Sequence, residues 1–136
     1  MLNEKLTTTT QEYNAYNLAN TLFINEGGKK FKAKILPNKA QFSPVYGIEE
    51  IDINGVKSLI CVGNFYDREV ETTRSDASTG FVVNMENAKL KVERGTGIGF
   101  NANKDARSIL TLNGGTKKVI AVGNNNDFMQ FFTLAN

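Results

Sequence analysis

Hydrophobic and polar residues alternate in short runs along the chain, and the runs are separated by glycine, asparagine and proline. The clearest case is a pair of apolar runs, Ile48–Ile53 and Leu59–Val62, that flank the dipeptide Asn54-Gly55. Because asparagine and glycine tolerate positive φ, this segment predicts a β-hairpin with a tight turn. The polar loop Asp67–Ser78 follows the hairpin and is the candidate surface for function, since loops on a rigid scaffold commonly carry binding residues.

The first strand signals come after a polar lead-in. Residues 1–20 carry only loosely spaced apolar positions, and we predict weak helical character there. From Thr21 the runs TLFIN and KFKAKIL are joined through Gly-Gly, and in the second run Phe31, Ala33 and Ile35 alternate with lysines. This period of two predicts a hairpin with one buried and one wet face. In the crossing loop that follows, we expect Phe42 to be buried.

The chain also repeats itself, with a period of about 60 residues. The run LICVGN recurs as VIAVGN, and Asn54-Gly55 recurs as Asn113-Gly114 with one extra residue in the second turn. Earlier in each copy, Phe-Ile-Asn and Lys-Phe-Lys recur as Val-Val-Asn and Lys-Leu-Lys, each pair separated by four residues. We therefore predict a single β domain over residues 21–136, made of two repeats at 21–79 and 80–136.

Four hairpins and a final strand, Phe128–Leu134, make roughly nine strands and predict an all-β fold. Pairing the Tyr46–Val62 hairpin with the Gly80–Arg94 hairpin would form a four-stranded antiparallel sheet of the size of a propeller blade, with an incomplete blade on either side. Two repeats cannot close a ring of typically four to eight blades. The predicted architecture is therefore a partial propeller or a two-sheet sandwich, in which open edge strands would let copies form a homo-oligomer.

Composition narrows the classes of function. The 16 basic and 14 acidic residues are interspersed and leave a net charge of +2, so we expect no binding to nucleic acid. No apolar run approaches about 18 residues, which argues against membrane insertion. The chain has no histidine, which removes histidine zinc sites and the Ser-His-Asp triad and favours a protein that is not an enzyme. The single cysteine, Cys61, is predicted to be a buried structural thiol.

Three short runs, AQFSP, GNFY and RSDAS, occur in this order within a longer similarity to a known family. Together with NTLFINEGGKKF and VIAVGNNND they resemble the C-terminal part of bacterial FG-GAP/VCBS-repeat proteins, a group related to cartilage acidic protein and to the integrin α-subunit propeller. The similarity covers nearly the whole chain from about Leu18. It implies a secreted or cell-surface, extracytoplasmic β-propeller that binds partners rather than catalyses a reaction.

Many repeats of that family carry a calcium loop with acidic residues at alternating positions. Asp52 and Asn54 match the first two positions, but the loop is then shortened and has no further carboxylate. The second copy of the loop has no acidic residue at all. Since calcium usually takes six to eight oxygen ligands, both loops are predicted to be plain turns, and we expect no metal or other cofactor.

Candidate ligand contacts lie in and beside the polar loop: Asn64, Tyr66, Glu71, Arg74, Asp76 and Ser78. The loop bears both signs of charge, so internal pairs such as Arg74 with Asp76 or Glu71 would order it, while its length would suit ligand contact. The resemblance marks the run from Arg74 to Ser78 as a loop-locking motif. Asn64 and Asn124 each follow the glycine that ends a central strand, and we predict that their side chains cap backbone groups there.

Together these observations predict a non-catalytic β-repeat module of a cell-surface or secreted protein that contacts protein or glycan partners through its loops. The alternative is a small polysaccharide hydrolase that uses loop carboxylates, with Glu69 and Glu71, or Asp67 and Asp76, as the acid and base. A third interpretation is a purely structural unit whose edge strands pair with neighbouring blades. Its sign would be unpaired strands at Thr21–Asn25 and Phe128–Leu134.

Overall fold

The computed structural model describes residues 11–86, 89–114 and 117–133, and the described part contains nine strands and two short 3-10 helices, Asn38–Ala40 and Gly95–Ile98. The strands are β1 (Thr21–Asn25), β2 (Phe31–Ile35), β3 (Gly47–Ile53), β4 (Val56–Val62), β5 (Phe81–Glu86), β6 (Lys89–Arg94), β7 (Ala106–Gly114), β8 (Lys117–Asn124) and β9 (Gln130–Thr133). They form three antiparallel sheets in chain order: β1-β2, β3-β4-β5-β6 and β7-β8-β9. The predicted all-β fold and its four-stranded central sheet are confirmed.

The β3-β4 hairpin turns where the sequence predicts. Asn54 has φ of 53° and Gly55 has φ of 80°, which is the pair of left-handed conformations that a type I′ hairpin turn requires. The Asp52 carboxylate accepts a hydrogen bond from the Gly55 backbone N–H at 2.8 Å. The two weak metal candidates, Asp52 and Asn54, are therefore exposed residues that shape this turn.

The main core lies between the four-stranded sheet and the three-stranded sheet, which pack face to face. Its buried members are Ile51, Ile60, Val62, Val82, Phe100, Ala102, Ala106, Ile109, Ile120 and Val122. A second cluster covers the opposite face of the four-stranded sheet and consists of Ala40, Cys61, Phe81, Val83 and Val92. Successive residues of a strand point to opposite faces, so the central strands β4 and β5 are buried on both sides.

The two copies of the repeated run face each other across the main core. Ile60 and Val62 of β4 occupy the same cluster as Ile120 and Val122 of β8, their counterparts in the repeat. Equivalent faces of the two sheets therefore meet, whereas consecutive blades of a propeller pack the front of one blade against the back of the next. Within this chain the arrangement is the two-sheet sandwich, one of the two predicted architectures.

The second copy differs from the first at its turn. β7 continues through Asn113 and Gly114, which pair with Lys118 and Lys117, so these residues are not the turn that the repeat predicts. Residues 115–116, which connect the two strands, lie outside the described part of the chain. Relative to the first copy, the pairing register is displaced by three residues: Leu110, the counterpart of Ile51, pairs with Ala121 and not with Lys118, the counterpart of Ser58.

The shift changes which side chains of β7 are buried. Ile109 reaches the main core, whereas Leu110, the counterpart of the buried Ile51, is 44% exposed. A displacement by an odd number of residues moves a side chain to the other face of the sheet, because successive side chains alternate between the faces.

The first hairpin forms at the predicted position, but the prediction of its buried face is wrong. Phe23, Phe31 and Ile35 are 62%, 63% and 66% exposed. Leu22 and Ile24 of β1 lie on the other face, opposite Lys34 and Lys32 of β2. Phe23 of β1 lies opposite Ala33 and so shares the exposed face of Phe31 and Ile35. Only the face of Leu22 and Ile24 packs toward the four-stranded sheet.

Leu22 and Ile24 line a cavity of about 280 Å³ between β1 and the four-stranded sheet. Leu59 and Val83 are the apolar residues that line it from the sheet side. The Glu50–Lys57 ion pair, 3.3 Å long and exposed, lies beside it. The first hairpin is therefore packed less closely than the two larger sheets.

Two further predictions need correction. Residues 11–20 form no helix, because asparagine and tyrosine are weak helix formers and so short a helix is marginal alone; residues 1–10 lie outside the described part. Phe42 is 40% exposed rather than buried, and the guanidinium of Arg94 lies 4.6 Å from the centre of its ring.

In the described part of the chain, no helix has the length and apolar character to cross a membrane.

Candidate functional site

Asn64 anchors the polar loop that follows β4. Its side chain is fully buried, and its Nδ2 donates to the carbonyl oxygens of Ser78 at 3.0 Å and Lys104 at 2.9 Å. Its Oδ1 accepts from the Ser78 backbone N–H at 3.1 Å, and the Ser78 hydroxyl accepts from the Gly80 N–H at 3.1 Å. The predicted capping role of Asn64 is confirmed. Neither Asn64 nor Ser78 presents its side chain to solvent, so both hold the base of the loop.

The loop is folded back on itself by a bridge between Phe65 and Ser75, with both backbone hydrogen bonds at 2.8 Å. On either side of Ser75, Arg74 Nε donates to Asp76 Oδ2 at 2.9 Å, which confirms the predicted internal pair. Both side chains are half exposed, at 60% and 45%, so they order the loop and still face solvent. A pair this exposed contributes little to stability, on the order of 0 to 1 kcal/mol.

Tyr66 lies beside this pair. The guanidinium of Arg74 is 4.8 Å from the centre of the Tyr66 ring, and the Tyr66 hydroxyl donates to the Asn103 carbonyl at 3.0 Å. We call Tyr66, Arg74 and Asp76 the Tyr66 group. The structure therefore brings three of the six candidate ligand contacts together. Glu71 lies apart, exposed, and has no hydrogen bond or ion pair within the residues that the structure describes.

A second cluster surrounds Phe65 and was missed by the sequence analysis. The guanidinium of Arg107 lies 4.3 Å from the ring centre of Tyr46 and 5.1 Å from that of Phe65. The guanidinium of Arg68 lies 5.9 Å from the Phe65 ring centre, and the Tyr46 and Phe65 ring centres are 6.3 Å apart. We call Tyr46, Phe65, Arg68 and Arg107 the Phe65 group. Its members come from three separate segments, so no local sequence pattern indicates it.

Asp105 positions Arg107. The Asp105 side chain is 2% exposed, and its Oδ2 accepts from Arg107 Nη2 at 2.9 Å and from Asn125 Nδ2 at 3.2 Å. Burial lowers the pKa of Arg107, but its hydrogen bonds with Tyr46 and Asp105 outweigh that effect and raise the pKa. Arg107 therefore stays charged. The Arg107 guanidinium and the Asn125 amide offset part of the cost of burying the Asp105 carboxylate, whose Oδ1 has no hydrogen-bond partner among the described residues.

Asn125 extends this network to the polar loop, since its Nδ2 also donates to Asp67 Oδ2 at 3.0 Å. Next to it, Lys104 Nζ contacts Asp127 Oδ1 at 2.7 Å, and this hydrogen bond and that of the Phe128 N–H lower the pKa of Asp127. Asn124 Nδ2 donates to the Phe128 carbonyl at 2.7 Å, so its predicted capping role is confirmed. The connection after β8 is thus tied to the same end of the sandwich as the polar loop.

The positions of the acidic residues and of Cys61 bear on metal binding and on thiol reactivity. Across residues 11–86, 89–114 and 117–133, no three acidic or cysteine side chains are grouped so as to hold a metal ion. Cys61 is 4% exposed, and burial raises the pKa of its thiol from 9.0 to about 12, which confirms the predicted buried thiol. The thiolate, which is the reactive form of cysteine, is therefore scarce at neutral pH.

Comparison of the chain with protein-family models, with curated proteins and with solved structures gives no match.

Proposed function

We propose that the chain is a non-catalytic binding module that contacts an anionic protein or glycan through the Phe65 and Tyr66 groups. The observation that carries the proposal is the placement of three guanidinium groups, those of Arg68, Arg74 and Arg107, over aromatic rings at one end of the sandwich. A guanidinium that stacks on a ring keeps its N–H edge available for a carboxylate or sulfate. Arginine and tyrosine are also enriched among the residues that dominate binding energy at interfaces.

Arg68 is the residue of this set that we expect to meet the partner most directly. Arg74 is already paired with Asp76, and Arg107 is paired with Asp105. Arg68 is exposed and, within the part of the chain that the structure describes, forms no ion pair. Its guanidinium can therefore accept an anionic partner without first losing an internal one.

The contacts of the loop carboxylates favour binding over hydrolysis. Asp76 is engaged by Arg74, and Asp67 by Asn125, so each carboxylate already has a structural partner. Glu69 and Glu71 are both exposed at the tip of the loop. A glycosidase needs two carboxyl groups that flank a bound sugar, one of them tuned by its surroundings to act as an acid. A non-catalytic role is accordingly the proposal.

The resemblance to FG-GAP/VCBS-repeat proteins supports the same proposal, because members of that group look like extracytoplasmic proteins that bind partners. Membership of that group and a secreted or cell-surface location are part of the proposal. Protease treatment of intact source cells would test the location. Loss of the protein without lysis is expected, and full protection would contradict a surface location.

The test of binding uses three probes: an oligogalacturonate, an oligoglutamate peptide and a neutral cello-oligosaccharide, each titrated calorimetrically. We expect binding to at least one acidic probe and none to the neutral sugar. Arg68→Ala should weaken that binding by about 10-fold or more, since truncating a dominant interface residue costs at least about 1 to 2 kcal/mol. Lys57→Ala removes an exposed cation of β4 that pairs with Glu50, and this control should leave the affinity unchanged.

The same samples separate the binding module from the hydrolase. Reducing ends should not accumulate when the protein is incubated with either oligosaccharide. Turnover that disappears in a folded Glu71→Ala or Asp76→Ala variant would replace the proposal with the hydrolase. Failure to bind either acidic probe would show that the arginine–aromatic groups do not recognise anions.

A further inference from the structure

β9 takes the same place in its sheet as β5 takes in the four-stranded sheet. Ala121 pairs with Phe131 as Cys61 pairs with Phe81, and Ile120 pairs with Phe132 as Ile60 pairs with Val82. Val119 pairs with Thr133 as Leu59 pairs with Val83. Since the β4 and β8 residues in these pairs are counterparts in the repeat, β7-β8-β9 corresponds to the first three strands of the four-stranded sheet.

The fourth strand is the difference between the two sheets. β5 continues to β6 through six pairs, from Phe81 with Arg94 to Glu86 with Lys89. On the corresponding edge of β9, none of the described residues forms a strand. An edge of this kind presents unpaired backbone N–H and C=O groups that can hydrogen-bond another strand.

Most of the edge strands carry charges or irregularities that discourage pairing with a strand of another molecule. β7 has a register shift between Ala106 and Ser108. The edge strands β2, β3, β6 and β7 also carry charged residues, at Lys32, Lys34, Glu49, Glu50, Asp52, Lys89, Lys91, Glu93, Arg94 and Arg107. Proteins use charges and bulges of this kind to protect edges. β9 has the sequence QFFT and β1 the sequence TLFIN, and neither carries a charge.

The surroundings of β9 are also apolar. Phe131 is 60% exposed, and the residues just before the strand, Phe128 and Met129, are 85% and 55% exposed. Leu110 and Leu112 of β7, at 44% and 43%, add to the same outer face of the sheet. β1 differs because it belongs to a two-stranded hairpin, which is a less rigid template than a three-stranded sheet.

We propose that two copies of the chain associate by antiparallel pairing of β9 with β9 across a two-fold axis, which joins the two three-stranded sheets into one of six strands. In this arrangement the two-fold axis lies at Phe131, so that Phe131 stands directly opposite the partner's Phe131, and because residues directly opposite each other share a face, both lie on the outer face. This aromatic pair and the new backbone hydrogen bonds supply the association. The proposal uses no residue of the Phe65 or Tyr66 group and is independent of the proposed function.

The first test measures solution mass by size exclusion with light scattering over a range of concentrations. We expect a species of about twice the 15.0 kDa chain mass. Phe131→Lys should raise the dissociation constant at least about 30-fold, because two like charges would meet across the axis. Phe23→Lys is the matched control on β1, where the replaced side chain is 62% exposed, and it should leave the dimer intact.

The second test identifies the paired residues by cross-linking. Phe131→Cys should form a disulfide-linked dimer on mild oxidation, and Phe23→Cys should not. Cys61 is buried and does not compete as a reactive thiol. A wild-type chain that stays monomeric at every concentration would overturn the proposal. So would a dimer that Phe23→Lys disrupts and Phe131→Lys leaves intact, because that result would place the contact on β1.

Discussion

At the scale of single residues, Asn64 shows how one amide group holds together the end of the sandwich that carries the candidate site. It links the end of β4 to Ser78 at the far side of the polar loop and to Lys104 before β7. All its hydrogen bonds are to backbone groups, and the side chain is fully buried. Removing it leaves two carbonyl oxygens and one N–H without that partner.

We predict that Asn64→Ala lowers the free energy of unfolding by about 2 to 4 kcal/mol, because buried backbone groups lose their hydrogen bonds. Urea unfolding followed by circular dichroism measures the change. Asn101→Ala, at an exposed asparagine in the β6-β7 connection, is the control and should change stability by less than about 0.5 kcal/mol. Equal stability of the two variants would contradict the role of Asn64.

The capping role of Asn64 could be predicted because it depends on local chemistry, an asparagine just after the glycine that ends a strand. The Phe65 group could not be predicted in this way. Tyr46 precedes β3 and Arg107 lies in β7, and they meet only because the two sheets pack face to face. A contact between distant segments leaves no pattern in either segment alone.

At the scale of elements, β3 shows how alternation along a strand assigns different roles to neighbouring residues. Glu49 and Glu50 are adjacent and chemically identical. Glu49 Oε1 accepts a hydrogen bond from the Thr111 N–H of β7 at 2.9 Å and so joins the two sheets of the sandwich. Glu50, on the other face of β3, forms an exposed ion pair with Lys57 and no other ion pair or hydrogen bond of its side chain with the residues that the structure describes.

We predict that Glu49→Ala destabilises the fold by about 1 to 3 kcal/mol, because the half-buried Thr111 N–H loses a charged acceptor. Glu50→Ala should cost no more than about 1 kcal/mol, since it removes an exposed pair that salt already screens. Thermal and urea unfolding of the two variants make the comparison. A larger loss in Glu50→Ala would show that the β3-β7 bond does not hold the sheets together.

The first hairpin shows that the pattern of apolar residues within one strand is not enough to predict which face is buried. β2 alone predicts that Phe31, Ala33 and Ile35 are buried, but β1 has its apolar pair, Leu22 and Ile24, on the opposite face. Only one face of a two-stranded hairpin packs against the four-stranded sheet. The choice between the two faces is made by the fit of the hairpin to its neighbour, which neither strand encodes alone.

At the scale of the whole molecule, the two larger sheets are joined by a side chain from neither of them. Phe100 lies in the connection between β6 and β7 and is fully buried in the main core. Its ring packs edge-on against Phe132 of β9, with the ring centres 4.6 Å apart. The connection thus contributes a residue to the core that both sheets share.

We predict that Phe100→Ala destabilises the fold by about 3 to 5 kcal/mol, as expected for a large side chain removed from a packed core. Phe128→Ala removes the same group from a position that is 85% exposed and should leave the free energy of unfolding nearly unchanged. Urea unfolding with two probes, circular dichroism and tyrosine fluorescence, would measure both variants. A small effect of Phe100→Ala would mean that the sheets hold together without this residue.

The sequence by itself determined the all-β class, the hairpin at Asn54-Gly55, the central four-stranded sheet and the locked polar loop. These features depend on alternation, turn residues and contacts between neighbours in the chain, which are local. Only the tertiary structure decided that equivalent faces of the repeat meet in one core, that the first hairpin exposes its phenylalanines and that Arg107 stacks on Tyr46. Those outcomes depend on how whole sheets fit together, and that fit is a property of the three-dimensional packing.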